Sequence, residues 1–155
     1  MIENLITPDS IIFELEGNER DEVLAELTEN LISRNACLDR NEVFQALVAR
    51  EEKMSTIVEQ SIAVPHIVSK SVQKTIVSLG ISHDGVEFDV TASAKESGVA
   101  KIVFCIIFPD SNSDEHLGIL KDILELSHKD DFLQKILGCK NIRDICDLIF
   151  NYLNT

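Results

Sequence analysis

The feature that most constrains the fold is an uninterrupted apolar run from Ile102 to Phe108. Its composition predicts a strand, and it is far too short to span a bilayer. A strand that is apolar on both sides must be covered on both faces, so helices are expected on both sides of the sheet. The sequence therefore predicts an α/β fold, a three-layer sandwich in which a mixed β-sheet is flanked by helices on both sides.

The order of the predicted elements is one strand, two helices, a block of short strands and then three helices. The first strand is predicted at Ile11–Leu15, and Asn18 is the expected N-cap of the first helix. Asp39, followed three residues later by Glu42, resembles a capping box for the second helix. No internal repeat or long linker is visible, and residues 1–155 are predicted to form a single domain.

Four details of the later part of the chain are also predicted. His83–Gly85 is expected to be a turn between two strands, and Thr91–Gly98 is expected to be a loop. Pro109 should end the last strand, and Ser111–Ser113 should supply the N-cap of the next helix.

The formal charge of −13, with a pI near 4.6, disfavours two classes of partner. Nucleic acids and anionic membranes are bound through clustered Lys and Arg, and no such cluster is present. A protein partner that carries basic residues is the better complement, although the charge also serves solubility. The first residues lack the basic-then-apolar order of a signal peptide, so we expect a cytoplasmic protein.

The cysteines and histidines do not form a recognisable metal motif. The four cysteines show no CxxC pairing, which disfavours a zinc site or a disulfide framework. A metal hydrolase is a further reading, but no HxH or HExxH spacing supports it. We expect neither a metal nor a cofactor. The histidines that such a hydrolase would use are His66, His83, His116 and His128.

The main candidate for chemistry is His66, at the end of the strand-like run Ile62–His66. Pro65 fixes its own φ and biases Val64 toward an extended conformation, so the histidine stands on stiff backbone. An imidazole accepts a phosphoryl group when one nitrogen has a free lone pair and the other nitrogen carries a proton that an acceptor holds. A rigidly placed histidine at the rim of the sheet is suited to this role.

Three other residues are suitable donors to the oxygens of a phosphoryl group: Arg50, Thr56 and His116. Taken singly, each has a simpler explanation. A histidine after proline is commonly a turn residue, a histidine at a helix start is commonly solvated, and an Arg50–Glu51 pair at a helix end is commonly an exposed charge pair. The functional prediction depends on the fold bringing these residues together.

The combination of motifs resembles the enzyme IIA proteins of the bacterial phosphotransferase system, of the fructose/mannitol type that includes nitrogen-regulatory members. The resemblance runs over nearly the whole chain, and the Ile62–His66 string is its most specific part. The motifs that carry it are Arg50-Glu51, Thr56, Ile62-Ala63-Val64-Pro65-His66, Gly85-Val86-Glu87-Phe88-Asp89, the strand that ends in Pro109, and Asp114-Glu115-His116-Leu117-Gly118-Ile119-Leu120.

This resemblance implies an enzyme, a phosphotransferase with a covalent phosphohistidine intermediate. His66 would accept a phosphoryl group from the histidine-containing phosphocarrier protein. It would pass the group to a IIB domain or permease component for sugar uptake, or hold it as a regulatory signal. His116 would steady the phosphohistidine, with Arg50 and Thr56 in support.

The sequence departs from the family pattern in two places. Ile67 stands where the family usually has a glycine, and Val58–Ser61 replaces residues that usually include glycines. Glycine allows close backbone approach and positive φ, so both changes bear on the phosphate cradle or on docking. The alternative is a non-catalytic regulatory binding module of the same fold that controls a kinase, channel or transcription factor, switched by charge at His66.

Overall fold

The structure is a computed structural model that describes residues 1–89, 91–92, 95–111 and 113–154. This part of the chain holds six strands and five α-helices, together with three short 3-10 turns. The strands are β1 (Ile11–Ile12), β2 (Ile57–Val58), β3 (Ile62–Ala63), β4 (His66–Ser69), β5 (Ile76–Glu87) and β6 (Val99–Pro109). The helices are α1 (Arg20–Arg34), α2 (Arg40–Lys53), α3 (Ser113–Ser127), α4 (Phe132–Leu137) and α5 (Ile142–Leu153).

The six strands form one mixed sheet around β6. The sheet runs in the order β1-β5-β6-β3-β2, and β4 also pairs with β6. Strands β3 and β4 run parallel to β6, whereas β5 runs antiparallel to it. The predicted apolar strand is therefore the centre of the sheet, and the predicted mixed arrangement is confirmed.

Alternate side chains of β6 enter two separate cores, one on each face of the sheet. On one face, Ile102, Phe104, Ile106 and Phe108 pack in a core to which α3, α4 and α5 contribute. The opposite face carries residues 103, 105 and 107, which pack in a core with α1 and α2. This is the predicted three-layer sandwich, and it explains why the run could not alternate with polar residues.

The two N-terminal helices begin at side-chain caps. The Asp39 carboxylate accepts a hydrogen bond from the Glu42 backbone N–H at 2.9 Å, which confirms the predicted cap of α2. The predicted cap of α1 is wrong by one residue: Glu19 is the N-cap, and it forms a capping box with Glu22. Asn18 instead donates its backbone N–H to the Glu22 carboxylate, so it lies just before the cap.

The predicted turn at His83–Gly85 is instead an irregularity within one long strand, β5. Its pairing with β6 shifts register between Ile81 and Val86, and Gly85 has a φ of 87°. Glycine adopts this left-handed conformation without strain, so the strand absorbs extra residues and continues. The predicted first strand is also longer than β1, although the backbone N–H of Leu15 still bonds to Ile81 O at 2.7 Å.

The turn between β2 and β3 has left-handed backbone at two residues that are not glycine. Gln60 has a φ of 60° and Ser61 a φ of 57°, at the place where the family usually has glycines. The Gln60 side-chain amide donates to the backbone oxygens of Ser127 and Lys129, and its oxygen accepts from Leu133 N–H at 3.1 Å. These bonds tie the turn to the α3–α4 connection and offset its conformational cost.

Some predictions fall partly outside the described residues. Asn112 of the predicted N-cap lies outside them, and so does part of the predicted loop 91–98, of which Lys95–Gly98 forms a 3-10 turn. The part of the chain that is described contains no helix long and apolar enough to cross a membrane. Its four cysteines are free thiols, and it holds no group of three or more His, Cys, Asp or Glu arranged for a metal ion.

Candidate functional site

His66 lies along the edge of the sheet, on the face covered by α3. Residues 62–63 and 66–69 pair with β6 in one constant register, in which His66 faces Ile106 and Val68 faces Phe108. The segment therefore continues past the proline as β4, and His66 is the first residue of that strand rather than the end of an apolar one. Paired residues of parallel strands project to the same face, so His66 shares the α3 face with Ile106 and Phe108.

The His66 ring has one nitrogen held and the other without a hydrogen bond. Its Nδ1 lies 2.6 Å from the backbone oxygen of Val64. A carbonyl oxygen only accepts, so this contact requires the proton on Nδ1 and leaves the lone pair on Nε2. In the described part of the chain, no residue bonds to Nε2, and Nε2 is not among the buried atoms that lack a partner.

The surroundings of His66 favour its neutral form. Burial lowers the pKa of His66 most, the Val64 carbonyl opposes that shift, and the electrostatic effects of Arg50 and His116 lower the pKa further. A neutral ring keeps the Nε2 lone pair available at and below neutral pH. The same shift shows that the fold brings Arg50 and His116 close enough to act on His66.

Phe108 is the common neighbour of the two histidine rings. Its ring meets His66 edge-on, with ring centres 6.0 Å apart and planes at 75°. It stacks against His116, with ring centres 4.2 Å apart and planes at 27°. Phe108 is 1% exposed, so it fixes both imidazoles against the same buried ring.

His116 lies in the first turns of α3 and brings a polar atom that lacks a partner. Two buried side-chain polar atoms have no hydrogen-bond partner among the described residues: Ser78 Oγ and His116 Nε2. A buried donor or acceptor without a partner costs free energy, and such groups concentrate at functional sites. The His116 ring, which stacks on the same phenylalanine that His66 meets edge-on, therefore has an unused hydrogen-bonding atom.

Arg50 lies in the last turn of α2 and is half-buried. One guanidinium nitrogen, Nη1, donates to Met54 O at 2.7 Å. No residue in the described ranges accepts from its other N–H groups. The bond to Met54 anchors the guanidinium and leaves donors for an anion placed at His66.

Thr56 is buried between Glu51 and the strand that leads to His66. Its hydroxyl donates to Glu51 Oε1 at 2.5 Å, and its backbone N–H donates to Glu51 Oε2 at 3.0 Å. The Val64 N–H in turn donates to Thr56, with 3.2 Å to the backbone oxygen and 3.2 Å to the hydroxyl. The hydroxyl that we expected to face a phosphoryl group is therefore engaged within the protein.

Two residues of this site were not identified as such from the sequence. Glu51 is 4% exposed, and burial raises the pKa of its carboxyl, against the lowering effect of the bonds from Thr56. A signal was present, because Glu51 continues the buried i, i+4 series of Val43 and Leu47 on α2. Phe108 carried no such signal, since its role depends on the register between β4 and β6.

Ile67, which replaces the usual glycine, points away from the site. It packs with the core on the α1–α2 face, as expected for the strand position next to His66. Its side chain therefore fills core space and does not enter the space around the His66 ring.

The remaining two histidines lie away from the site. His83 is near the opposite end of β6, where Nδ1 contacts the Glu14 carboxylate and Nε2 lies 3.1 Å from Leu137 O. His128 follows the end of α3, about 18 Å along the helix axis from His116. His66 and His116 both contact Phe108, whereas His83 and His128 lie elsewhere, so the four histidines that a metal hydrolase would use do not gather in one site.

The family model of the phosphoenolpyruvate-dependent sugar phosphotransferase system, EIIA 2, matches residues 4–152. The fructose-specific EIIABC component of Bacillus subtilis is 26% identical over 96% of the chain, which spans only 23% of that relative. The crystal structure of nitrogen regulatory protein IIA-Ntr from Neisseria meningitidis superposes with a TM-score of 0.85 and 20% identity, over 96% of this chain and 98% of that one.

A second solved structure shares the same fold. It is the complex of enzyme IIAMTL with phosphorylated enzyme IIBMTL from Escherichia coli, with a TM-score of 0.76 and 20% identity, over 92% of this chain and 95% of that one. The family model covers nearly the whole sequence, and the resemblance seen in the motifs is confirmed. The chain belongs to the EIIA 2 family of the phosphoenolpyruvate-dependent sugar phosphotransferase system.

Proposed function

We propose that the protein is a phosphohistidine carrier in which Nε2 of His66 accepts and releases a phosphoryl group. The observation that carries this proposal is the half-satisfied imidazole: Nδ1 is held by the Val64 carbonyl, whereas Nε2 has no hydrogen bond among the described residues. This arrangement selects one tautomer and leaves the nucleophilic lone pair in place. Arg50 and His116, which both lower the pKa of this ring, complete the site.

The proposed reaction is an exchange of one N–P bond for another. The Nε2 lone pair attacks the phosphorus of a phosphohistidine on the donor, the new N–P bond forms, and the donor's N–P bond breaks. The donor imidazole leaves with the electron pair of that bond. The phosphorylated His66 ring is then positive, and its Nδ1–H remains bonded to the Val64 oxygen, which stabilises that charge. In transfer to the acceptor, a nucleophile of the acceptor attacks the phosphorus, the His66 N–P bond breaks, and its electron pair returns to Nε2.

Two groups are suited to hold the phosphoryl oxygens. Arg50 brings a fixed positive charge with donors beyond the one used by Met54. His116 Nε2 is buried without a partner in the described structure, and a phosphoryl oxygen would give it one. Such preorganised donors act chiefly by electrostatic stabilisation of the transferred group. Thr56 supports the site indirectly, because its hydroxyl accepts a hydrogen bond from the N–H of Val64, two residues before His66.

The proposed partners are the histidine-containing phosphocarrier protein as donor and a IIB domain as acceptor. The charge of −13 suits a donor whose docking face is basic. Two relatives support the acceptor: one similar structure is a complex of an enzyme IIA with a phosphorylated enzyme IIB, and the fructose-specific relative is named as an EIIABC component. We place the protein in the cytoplasm, where it would serve sugar uptake or hold the phosphoryl group as a regulatory signal.

The test is phosphorylation by phosphoenolpyruvate in the presence of the first enzyme of the pathway and the phosphocarrier protein. We expect acid-labile, base-stable label on the wild type and on His83→Ala, and no label on His66→Ala. The His83 variant is the matched control, because it removes the same side chain at a distant site. Label that persists on His66→Ala would assign the acceptor elsewhere. A wild type that stays unlabelled would favour the non-catalytic regulatory module.

A further inference from the structure

A chain of hydrogen bonds links a buried carboxyl group to the ring of His66. Glu51 accepts from both the hydroxyl and the backbone N–H of Thr56, at 2.5 and 3.0 Å. Thr56 accepts from the Val64 N–H, and the Val64 oxygen lies 2.6 Å from His66 Nδ1. The end of α2 is thus connected through Thr56, just before β2, and Val64, just after β3, to the first residue of β4.

The chemistry of each group leaves few alternative partners in this series of hydrogen bonds. Thr56 is 7% exposed and Glu51 is 4% exposed, so water does not substitute for either partner. The Thr56 hydroxyl donates its one proton in the hydrogen bond to Glu51, while the hydroxyl oxygen accepts a hydrogen bond from the Val64 N–H. Pro65 restricts the ψ of the preceding Val64 to extended values, so holding the Val64 N–H also limits where the Val64 carbonyl points.

We propose that Glu51 and Thr56 are positioning residues that act through the Val64 backbone to keep the His66 ring in its Nδ1–H tautomer. This inference rests on the proposed function, since the tautomer matters for an imidazole that reacts at Nε2. It assigns Thr56 a role different from a direct bond to the phosphoryl group. The hydroxyl proton is donated to Glu51, and neither residue forms a hydrogen bond with the His66 ring in the described structure.

The first test compares Thr56→Val with Thr56→Ser. Valine keeps the β-branched shape and removes the hydroxyl, whereas serine keeps the hydroxyl and removes a methyl group. We expect Thr56→Val to phosphorylate about fivefold more slowly, the equivalent of one hydrogen bond, and Thr56→Ser to behave like the wild type.

The second readout follows the ring itself in the unphosphorylated protein. With ¹⁵N-labelled histidine, at a pH where the ring is neutral, the wild type should show the distinct pair of shifts of a fixed Nδ1–H tautomer. We expect Thr56→Val to move the two His66 shifts toward each other, as the ring samples both tautomers, and Thr56→Ser to restore them. A role in stability alone would not change these shifts.

A neighbouring pair of glutamates supplies a matched control. Glu51→Gln leaves the side-chain size unchanged but places an amide against the hydroxyl and N–H of Thr56, so it should shift the His66 tautomer in the same direction. Glu52, the next residue, has a side chain that is 64% exposed, and Glu52→Gln should leave the tautomer and the rate unchanged.

The outcomes separate this inference from the proposed function. A tautomer shift in Thr56→Val would support the relay even if the wild type never accepted label. Normal phosphorylation with an unchanged tautomer in Thr56→Val and Glu51→Gln would overturn the relay and leave the carrier function intact. An unchanged tautomer together with faster loss of the phosphoryl group from phospho-His66 in Thr56→Val would also overturn it, in favour of a direct bond.

Discussion

His66 and His83 lie at opposite ends of the central strand, and they differ in how their ring nitrogens are used. His83 has an oxygen beside each nitrogen, from Glu14 and from the end of α4 at Leu137. His66 has one such oxygen, and its second nitrogen is left without a hydrogen bond in the described structure. Both rings have a phenylalanine with its ring centre 6.0 Å away, so the aromatic neighbour alone does not distinguish them.

The difference is the one we expect between a structural histidine and the reactive histidine that we propose. A ring with both nitrogens engaged holds elements together, here β5, the segment after β1, and α4. A ring with one free nitrogen, beside a guanidinium and a second imidazole, has an available lone pair and a positive environment for an anion.

The largest effect should come from Arg50→Ala. Removing the guanidinium takes away the fixed positive charge beside His66, and we expect the rate of phosphorylation to fall about 100-fold, as for loss of one preorganised donor. Lys53→Ala is the control, since it removes one positive charge from the same exposed helix end and should change the rate little. Equal rates for the two variants would remove Arg50 from the site.

Phe108→Leu should affect the site, whereas Phe104→Leu should affect only stability. Both phenylalanines are buried on the same face of β6, and each change should cost about 1–2 kcal/mol in unfolding free energy. Of the two, Phe108 is the one with ring contacts to His66 and His116 in the described structure. Its loss should therefore admit water to His66 and move the pKa of that ring upward, toward its ordinary value. An NMR titration of His66 in both variants measures this difference, and equal midpoints would contradict it.

His83→Ala should lower stability without affecting phosphorylation, unlike the loss of label that we expect for His66→Ala. It removes contacts to Glu14 and to Leu137 O at a partly exposed position, so we expect a loss of about 1 kcal/mol in chemical denaturation. Phosphorylation should continue at the wild-type rate. A large loss of activity without a loss of stability would show that the distinction between the two histidines is wrong.

The smallest effects concern the turn that replaces the family's glycines. Ser61→Gly should stabilise the protein by about 1 kcal/mol, because it relieves left-handed backbone. Gln60→Ala keeps that backbone and loses the bonds to the α3–α4 connection, so it should destabilise by about 1–2 kcal/mol. Thermal unfolding distinguishes the two, and neither change should alter the His66 tautomer.

Much of the fold could be predicted because its signals are local. The apolar run required cover on both faces, Asp39 has the spacing of a cap, and Pro65 restricts its own backbone. The continuity of β5 through Gly85 could not be predicted, since the sequence there is equally suited to a turn. The turn at Gln60 and Ser61 was also hidden, because long-range bonds from the Gln60 side chain support it.

The sequence indicated the candidate residues of the site but not the hydrogen bonds that link them. His66, Arg50 and His116 were chosen from the sequence. In the structure both histidine rings contact Phe108 and Arg50 acts electrostatically on His66, which residue spacing alone does not establish, and their roles in phosphoryl transfer stay predictions. Thr56 was expected to face the phosphoryl group, and it instead bonds to the carboxyl group of Glu51, for which the sequence indicated a family motif or an exposed charge pair but no buried bond. Buried hydrogen bonds between distant segments are set by tertiary packing, so no local pattern reveals them.

The most direct test of the central claim is to identify the nitrogen that carries the phosphoryl group. Protein with ¹⁵N-labelled histidine would be phosphorylated by the phosphocarrier protein, and the ¹⁵N nucleus coupled to ³¹P would be assigned by NMR. We expect coupling at Nε2 of His66, with Nδ1 still protonated and facing the Val64 carbonyl. Coupling at Nδ1 of His66, or at any other histidine, would contradict it.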